Sequence, residues 1–148
     1  MFDDVLRVIG SIGLGLLLVQ PAAAQAATEG GKIKLQLNNM QTVDGSCQLT
    51  FVAQNDTDID VSASVFSMTV VDVQGHVVAL TNFEFGAFPK GRPKAQQFAL
   101  AGQACDSLSA IAVNDFISCL DAEGKESPVC ETALQASTLT TIQFPWSL

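Results

Sequence analysis

Few residues in this chain have chemistry to offer: four cysteines, one histidine, an acidic turn and a basic turn. Cys47, Cys105, Cys119 and Cys130 form an even set, as a disulfide framework requires. No two stand as C-x-x-C, the spacing of a redox pair, and there are no close thiolate pairs for zinc. Of the three pairings open to four cysteines, Cys47–Cys105 with Cys119–Cys130 is the expected one. The first would tie an early strand to the segment entering a late one. The second would close a short polar loop. On the chain-entropy account the two would contribute roughly 4 and about 3 kcal/mol.

His76 is the only histidine, so a Ser–His–Asp hydrolase would have to use it. It follows Gly75, with Asp72 close by, but no G-x-S-x-G nucleophile elbow accompanies it. An exposed turn histidine is the expected reading. Glu123, Glu126 and Glu131 lie near the Cys119–Cys130 loop, and paired carboxylates for sugar hydrolysis need a rigid cleft that a loop does not offer. Asn55, Asp56, Asp58 and Asp60 place oxygens at nearly alternate positions, as calcium would want, but lack the glycine and distal glutamate of an EF-hand loop. A solvated turn without metal is expected there, and Asn55-Asp56-Thr57 is read as an accidental glycosylation match. No cofactor is implied. Lys90, Arg92 and Lys94 form the one basic cluster, a candidate dock for an acidic partner or anionic head group. The ending Phe144-Pro145-Trp146-Ser147-Leu148 either binds a partner groove or caps the fold through Trp146; capping is expected.

The compartment decides the cysteine argument. Val8–Val19 is an uncharged apolar run after Arg7, broken by Gln20-Pro21 and followed by Ala22-Ala23-Ala24 before Gln25. That is the layout of a secretory signal peptide over residues 1–24, and the run is shorter than the ~20 residues that span a bilayer. Asp3 and Asp4 weaken its basic start. There is no cysteine for a lipid anchor and no twin arginine, so the general secretory route is expected. The chain is read as periplasmic or secreted and bacterial. It would touch a membrane only through this segment if uncleaved, which is the envelope-anchored alternative. The formal charge of −8 and pI near 4.3 disfavour nucleic acid as a partner.

The rest of the chain must position these groups. Its 148 residues, 48% hydrophobic with nine Phe, one Trp and no Tyr, make one domain. Residues 25–31 read as a flexible leader and 32–148 as the folded domain. Lys32–Leu37 alternates as a first strand, with a loop over 38–45. Cys47, Leu49, Phe51 and Ala53 share one face of the next strand. Asn55–Asp58 reverses the chain. Val61, Ala63 and Val65 alternate, then slip to Phe66, Met68 and Val70; either a bulge sits near Val65 or the strand is buried on both faces, and a bulge with the last three in the core is expected. Asp72–Gly75 is a hairpin turn and His76–Leu80 the return strand. Thr81–Phe88 is extended or a connection, and Pro89–Pro93 a rigid turn. Lys94–Leu100 and Leu108–Phe116 are further strands, with a loop holding Cys105 between them. A helical turn is expected in Glu131–Ala136, and a last strand over Thr138–Phe144. About seven short strands with no long helical period predict an all-β, immunoglobulin-like sandwich behind an N-terminal signal helix.

Cys47-Gln48-Leu49-Thr50-Phe51, Asn55, Val71-Asp72 with Gly75, Phe85-Gly86, and Gly91-Arg92-Pro93 with Gln97-Phe98 resemble a group of small exported proteins of alphaproteobacteria. The likeness runs on through Cys105, Val113-Asn114, Cys119 and Cys130. The strand–Asn–strand–Asp-x-x-Gly core is also similar to bacterial immunoglobulin-like modules of the FxLYD type. The resemblance implies a periplasmic immunoglobulin-like sandwich and carries no catalytic motif. The functional expectation is a non-enzymatic binding or interaction module with a protein partner in the periplasm or envelope. A hydrolase using His76 is the enzymatic alternative.

Overall fold

Alternation of apolar and polar residues builds seven strands, which the computed structural model describes over residues 30–148. The expected signal peptide and nearly all of the leader lie outside the described residues. In chain order the strands are β1 Ile33–Val43, β2 Ser46–Asn55, β3 Val61–Asp72, β4 Val77–Glu84, β5 Lys94–Leu100, β6 Leu108–Asp121 and β7 Leu134–Thr138. A 3-10 turn, Cys105–Ser107, leads into β6, and a short helix α1, Val129–Thr132, precedes β7. One sheet runs β5-β2-β1-β7 and the other β4-β3-β6. Every pairing is antiparallel except β1 with β7. The chain passes between layers after β2, β4, β5 and β6, as in immunoglobulin-like sandwiches.

The inward residues of both layers make one core. Ile33, Leu35 and Leu37 of β1 and Cys47, Leu49, Phe51 and Ala53 of β2 meet Phe66, Met68 and Val70 of β3, Phe83 of β4, and Ile111 and Val113 of β6. Phe51 lies at its centre, with ring centroids 5.3 to 6.0 Å from Phe144, Phe85, Phe83 and Phe98. Such edge-to-face pairs add directional attraction to the burial.

Several expected boundaries move, each for a local reason. The first strand does not stop at Leu37 but runs to Val43, because the register with β2 skips Asn38. This bulge inverts the side-chain parity, so Met40 continues the inward row after Leu37 and the period-two pattern is lost to the eye. Asp44 and Gly45, both at positive φ, then close a two-residue hairpin onto β2. In β3 the extra residue is Ser62, not a neighbour of Val65; beyond it Ser64, Phe66, Met68 and Val70 face the core. The irregularity beside Val65 belongs to β6, whose Ile117 is skipped. The return strand β4 reaches Glu84 and β6 reaches Asp121, both longer than expected. The helical turn sits at Val129–Thr132, and Leu134–Ala136 is strand. Ile142 and Phe144 are buried as expected, but their segment joins β6 by isolated parallel bridges.

Candidate interaction surface

The structure distributes the reactive side chains rather than gathering them. Cys47 on β2 bonds Cys105 on the 3-10 turn, and Cys119 on β6 bonds Cys130 on α1, the expected pairing. No free cysteine remains among the described residues. The two bridges are consistent with an exported protein in an oxidising environment. No helix among the described residues is long and apolar enough to cross a membrane.

The acidic turn is not simply solvated. Asn55 is fully buried at the end of β2. Its Nδ2 donates to the carbonyls of Ile59 at 2.7 Å and Phe88 at 2.8 Å, while Oδ1 accepts from the Thr57 N–H at 3.0 Å and the Thr57 hydroxyl at 2.6 Å. All four capacities of the amide are used, so this nitrogen is no glycan acceptor. Asp56 turns to Lys34 at 2.8 Å, and hydrogen bonds from Lys34 and then Gln54 hold its carboxyl below the ordinary value. Asp60 accepts from the Lys90 N–H at 2.8 Å. The oxygens point to different partners, and no group of three or more His, Cys, Asp or Glu is arranged around a metal position among the described residues.

The basic turn divides in the same way. The Lys94 amine is half-buried and donates to the Phe85 carbonyl at 2.7 Å and that of Ala87 at 3.4 Å. It ties the start of β5 to the segment leaving β4. Lys90 is exposed, with its amine 3.2 Å from the Asp58 carbonyl, and Arg92 is exposed.

His76 stands on the β3–β4 turn with its side chain 78% exposed, Nδ1 lying 3.5 Å from Asp72 Oδ2. The other Asp72 oxygen accepts the Gln74 and His76 backbone N–H groups at 2.9 and 2.8 Å. These bonds, that from His76 foremost, hold the Asp72 carboxyl below its ordinary value. Glu123, Glu126 and Glu131 are all exposed around the Cys119–Cys130 loop.

The tail serves the sheet. Ile111 and Val113 donate to the carbonyls of Gln143 and Pro145, and Gln143 and Ser147 donate back to Ser109 and Val113. Trp146 stacks on Phe116 at 4.8 Å and stays 44% exposed. The expected capping by Trp146 therefore falls on the β6 margin rather than inside the core.

The β6 margin is bonded to the tail over Ser109–Val113 and to the following loop at Cys119 and Asp121; the three-stranded sheet has one other margin, β4, and no strand pairs with its outer side among the described residues. Val77 through Phe83 carries no charge and no proline. Leu80 is 69% and Val77 55% exposed, and Val73 is exposed on the adjoining turn. Natural edges are usually blunted by lysine, proline or a bulge. Here one register shift, between Val77 and Ala79, leaves Ala79–Glu84 regular. The sequence carried this signal in the length of the uncharged run, but the run reads as core until the sheet order is known.

The chain matches no protein-family model and no curated protein at a significant level. Among solved structures it is similar to IrmA from Escherichia coli, with a TM-score of 0.53 at 12% identity over 71% of this chain and 90% of that one. At that identity the likeness concerns architecture alone: both are β-sandwich proteins.

Proposed function

We propose that this chain is an exported, non-enzymatic interaction module that binds another polypeptide in the periplasm or envelope by adding a strand along β4. The observation that carries the reading is the open, uncharged outer margin of β4 in a sheet whose opposite margin is bonded over Ser109–Val113 by the chain's own tail. A strand laid there would satisfy the outward backbone N–H and C=O groups of β4, and Val77 and Leu80 would supply apolar contact. The disulfides support an extracytoplasmic setting. The exposed placement of His76 and of the loop glutamates speaks against a hydrolytic role. The basic turn joins this reading only through Lys90 and Arg92, since Lys94 serves the fold.

The test is a photo-crosslinking residue placed at Leu80, and in parallel at Gln41 of β1, in the exported protein in intact cells. Crosslinks to a polypeptide from position 80 and none from position 41 are expected. Equal labelling from both positions, or none from either, overturns the reading.

A further inference from the structure

The segment Ile142–Leu148 leaves one layer for the other. After β7 ends at Thr138 the chain crosses to the margin of β6. There its backbone follows a parallel ladder: Gln143 donates to Ser109, Ile111 to Gln143, Val113 to Pro145, and Ser147 to Val113. Ile142 and Phe144 are buried, with the Phe144 ring centroid 5.3 Å from that of Phe51. Among the described residues, no side chain of the segment bonds a polar group of the sandwich, and no ion pair or disulfide holds it. Backbone bonds and apolar side chains hold it, the two terms by which strand addition recognises a ligand. The fit is incomplete in two places. In this register residue 145 should donate to the Ile111 carbonyl, but proline has no N–H, so that rung is missing. Ser147, at a φ of 67°, then turns the chain away. Asp115–Ser118 of β6 receive no backbone bond from the segment, and Ile117 there is 55% exposed.

We infer that the β6 margin is a strand-binding groove in which Ile142–Leu148 is the resident, and from which an extended polypeptide segment displaces it. The preferred ligand carries apolar residues at the places of Ile142 and Phe144, and any residue except proline at the place of Pro145. It restores the bond to the Ile111 carbonyl, and a longer one runs on along Asp115–Ser118. This groove is separate from the β4 margin and does not depend on it. The resident competes as an intramolecular ligand, at an effective concentration of about 1 mM. One restored backbone bond is worth about fivefold in affinity. Half-displacement by a ligand matched to the segment but free of proline therefore falls at roughly 0.2 mM.

Trp146 is the only tryptophan and stacks on Phe116 within the docked segment, so its emission reports displacement in the exported chain with both disulfides formed. The probe is a synthetic peptide of residues 140–148 carrying Pro145→Ala and Trp146→Phe, which has no tryptophan of its own. It should shift the Trp146 emission to the red, expose it to acrylamide quenching, and saturate with half-effect at roughly 0.2 mM. The same peptide with Pro145 kept should need about five times as much. A peptide carrying Phe144→Lys should have no effect at about 2 mM, above the effective concentration of the resident. Hydrogen exchange separates displacement from unfolding. The Gln143 and Ser147 amides should lose protection, while Ile111 and Val113, now donating to the peptide, keep theirs. Unchanged emission at about 2 mM of the first peptide, equal potency with and without proline, an active Phe144→Lys peptide, or lost protection at Ile111 and Val113 each overturns the inference.

Discussion

Asn55 Nδ2 donates to the carbonyl of Phe88 at 2.8 Å, joining two segments separated by 33 residues. The same nitrogen reaches Ile59, and the Asn55 backbone carbonyl accepts the Gly91 N–H at 2.8 Å. One buried amide thus gathers the β2–β3 turn and the connection from β4 to β5. Its removal orphans the buried Thr57 N–H and takes one of two bonds from each of the Ile59 and Phe88 carbonyls, which keep the Thr57 hydroxyl and the Val61 N–H. Asn55→Ala should cost about 3 kcal/mol, at the upper end for orphaned buried groups. Asp58→Ala, three residues on and exposed, should stay within about 0.5 kcal/mol. Urea denaturation of the two variants checks the contrast. Equal effects would mean that the amide is not the organising group of the turn.

The two disulfides should differ in worth. Cys47–Cys105 closes a sequence separation of 58 and Cys119–Cys130 one of 11. By the chain-entropy relation, replacing the first pair with serines should lower stability by roughly 4 kcal/mol and the second by about 3 kcal/mol. Cys47 and Cys130 are both fully buried, so each pair also leaves polar groups in the core unless alanine is used. A parallel alanine series separates that effect from loop closure. A Cys119/Cys130 alanine pair as costly as the Cys47/Cys105 pair would contradict the ordering.

How much of this was legible in the chain follows from where the period of two survives. Cys47, Leu49, Phe51 and Ala53 alternate without interruption, and β2 has an unbroken register with β5. β5 itself was bounded correctly by Pro93 and Gly102. β1 was half read, because the bulge at Asn38 inverts parity just where the residues turn polar. Ser62 did the same at the start of β3, hiding Ser64 in the core, where its hydroxyl donates to the Gly86 carbonyl at 2.8 Å. The basic cluster looked like one unit because its members are adjacent in sequence. Only the path of the chain after β4 shows that Lys94 is turned inward by the Phe85 carbonyl. The β4 margin was invisible for a related reason: a strand's neighbours are a property of sheet order, and no local pattern encodes them.

The division of the basic turn is itself testable. Lys94→Met keeps the aliphatic stem and removes the amine that the Phe85 and Ala87 carbonyls share. A charge-assisted bond in a half-buried site is worth about 1.5 kcal/mol. Thermal or urea unfolding of Lys94→Met should show a loss near that size, and Arg92→Ala should lie within about 0.5 kcal/mol of wild type. A neutral Lys94→Met would return Lys94 to the surface and to the candidate docking patch.

The β3–β4 turn predicts an acid limb in the stability curve. Asp72 accepts two backbone N–H groups and faces His76, so its folded-state pKa lies below the ordinary value of 3.8. A carboxyl depressed in the folded state binds its proton more readily when unfolded. Its stabilising contribution is therefore fully present above about pH 4 and is lost as pH falls through the lower, folded value. Asp72→Asn keeps an oxygen for the Gln74 and His76 N–H groups but has no charge to lose. Urea midpoints of wild type and Asp72→Asn should differ most near pH 6, with wild type the more stable. The gap should narrow steadily between pH 4 and pH 2. A gap of constant size across that range would show that the Asp72 charge contributes nothing to the turn, and that its geometry alone holds β4 in place.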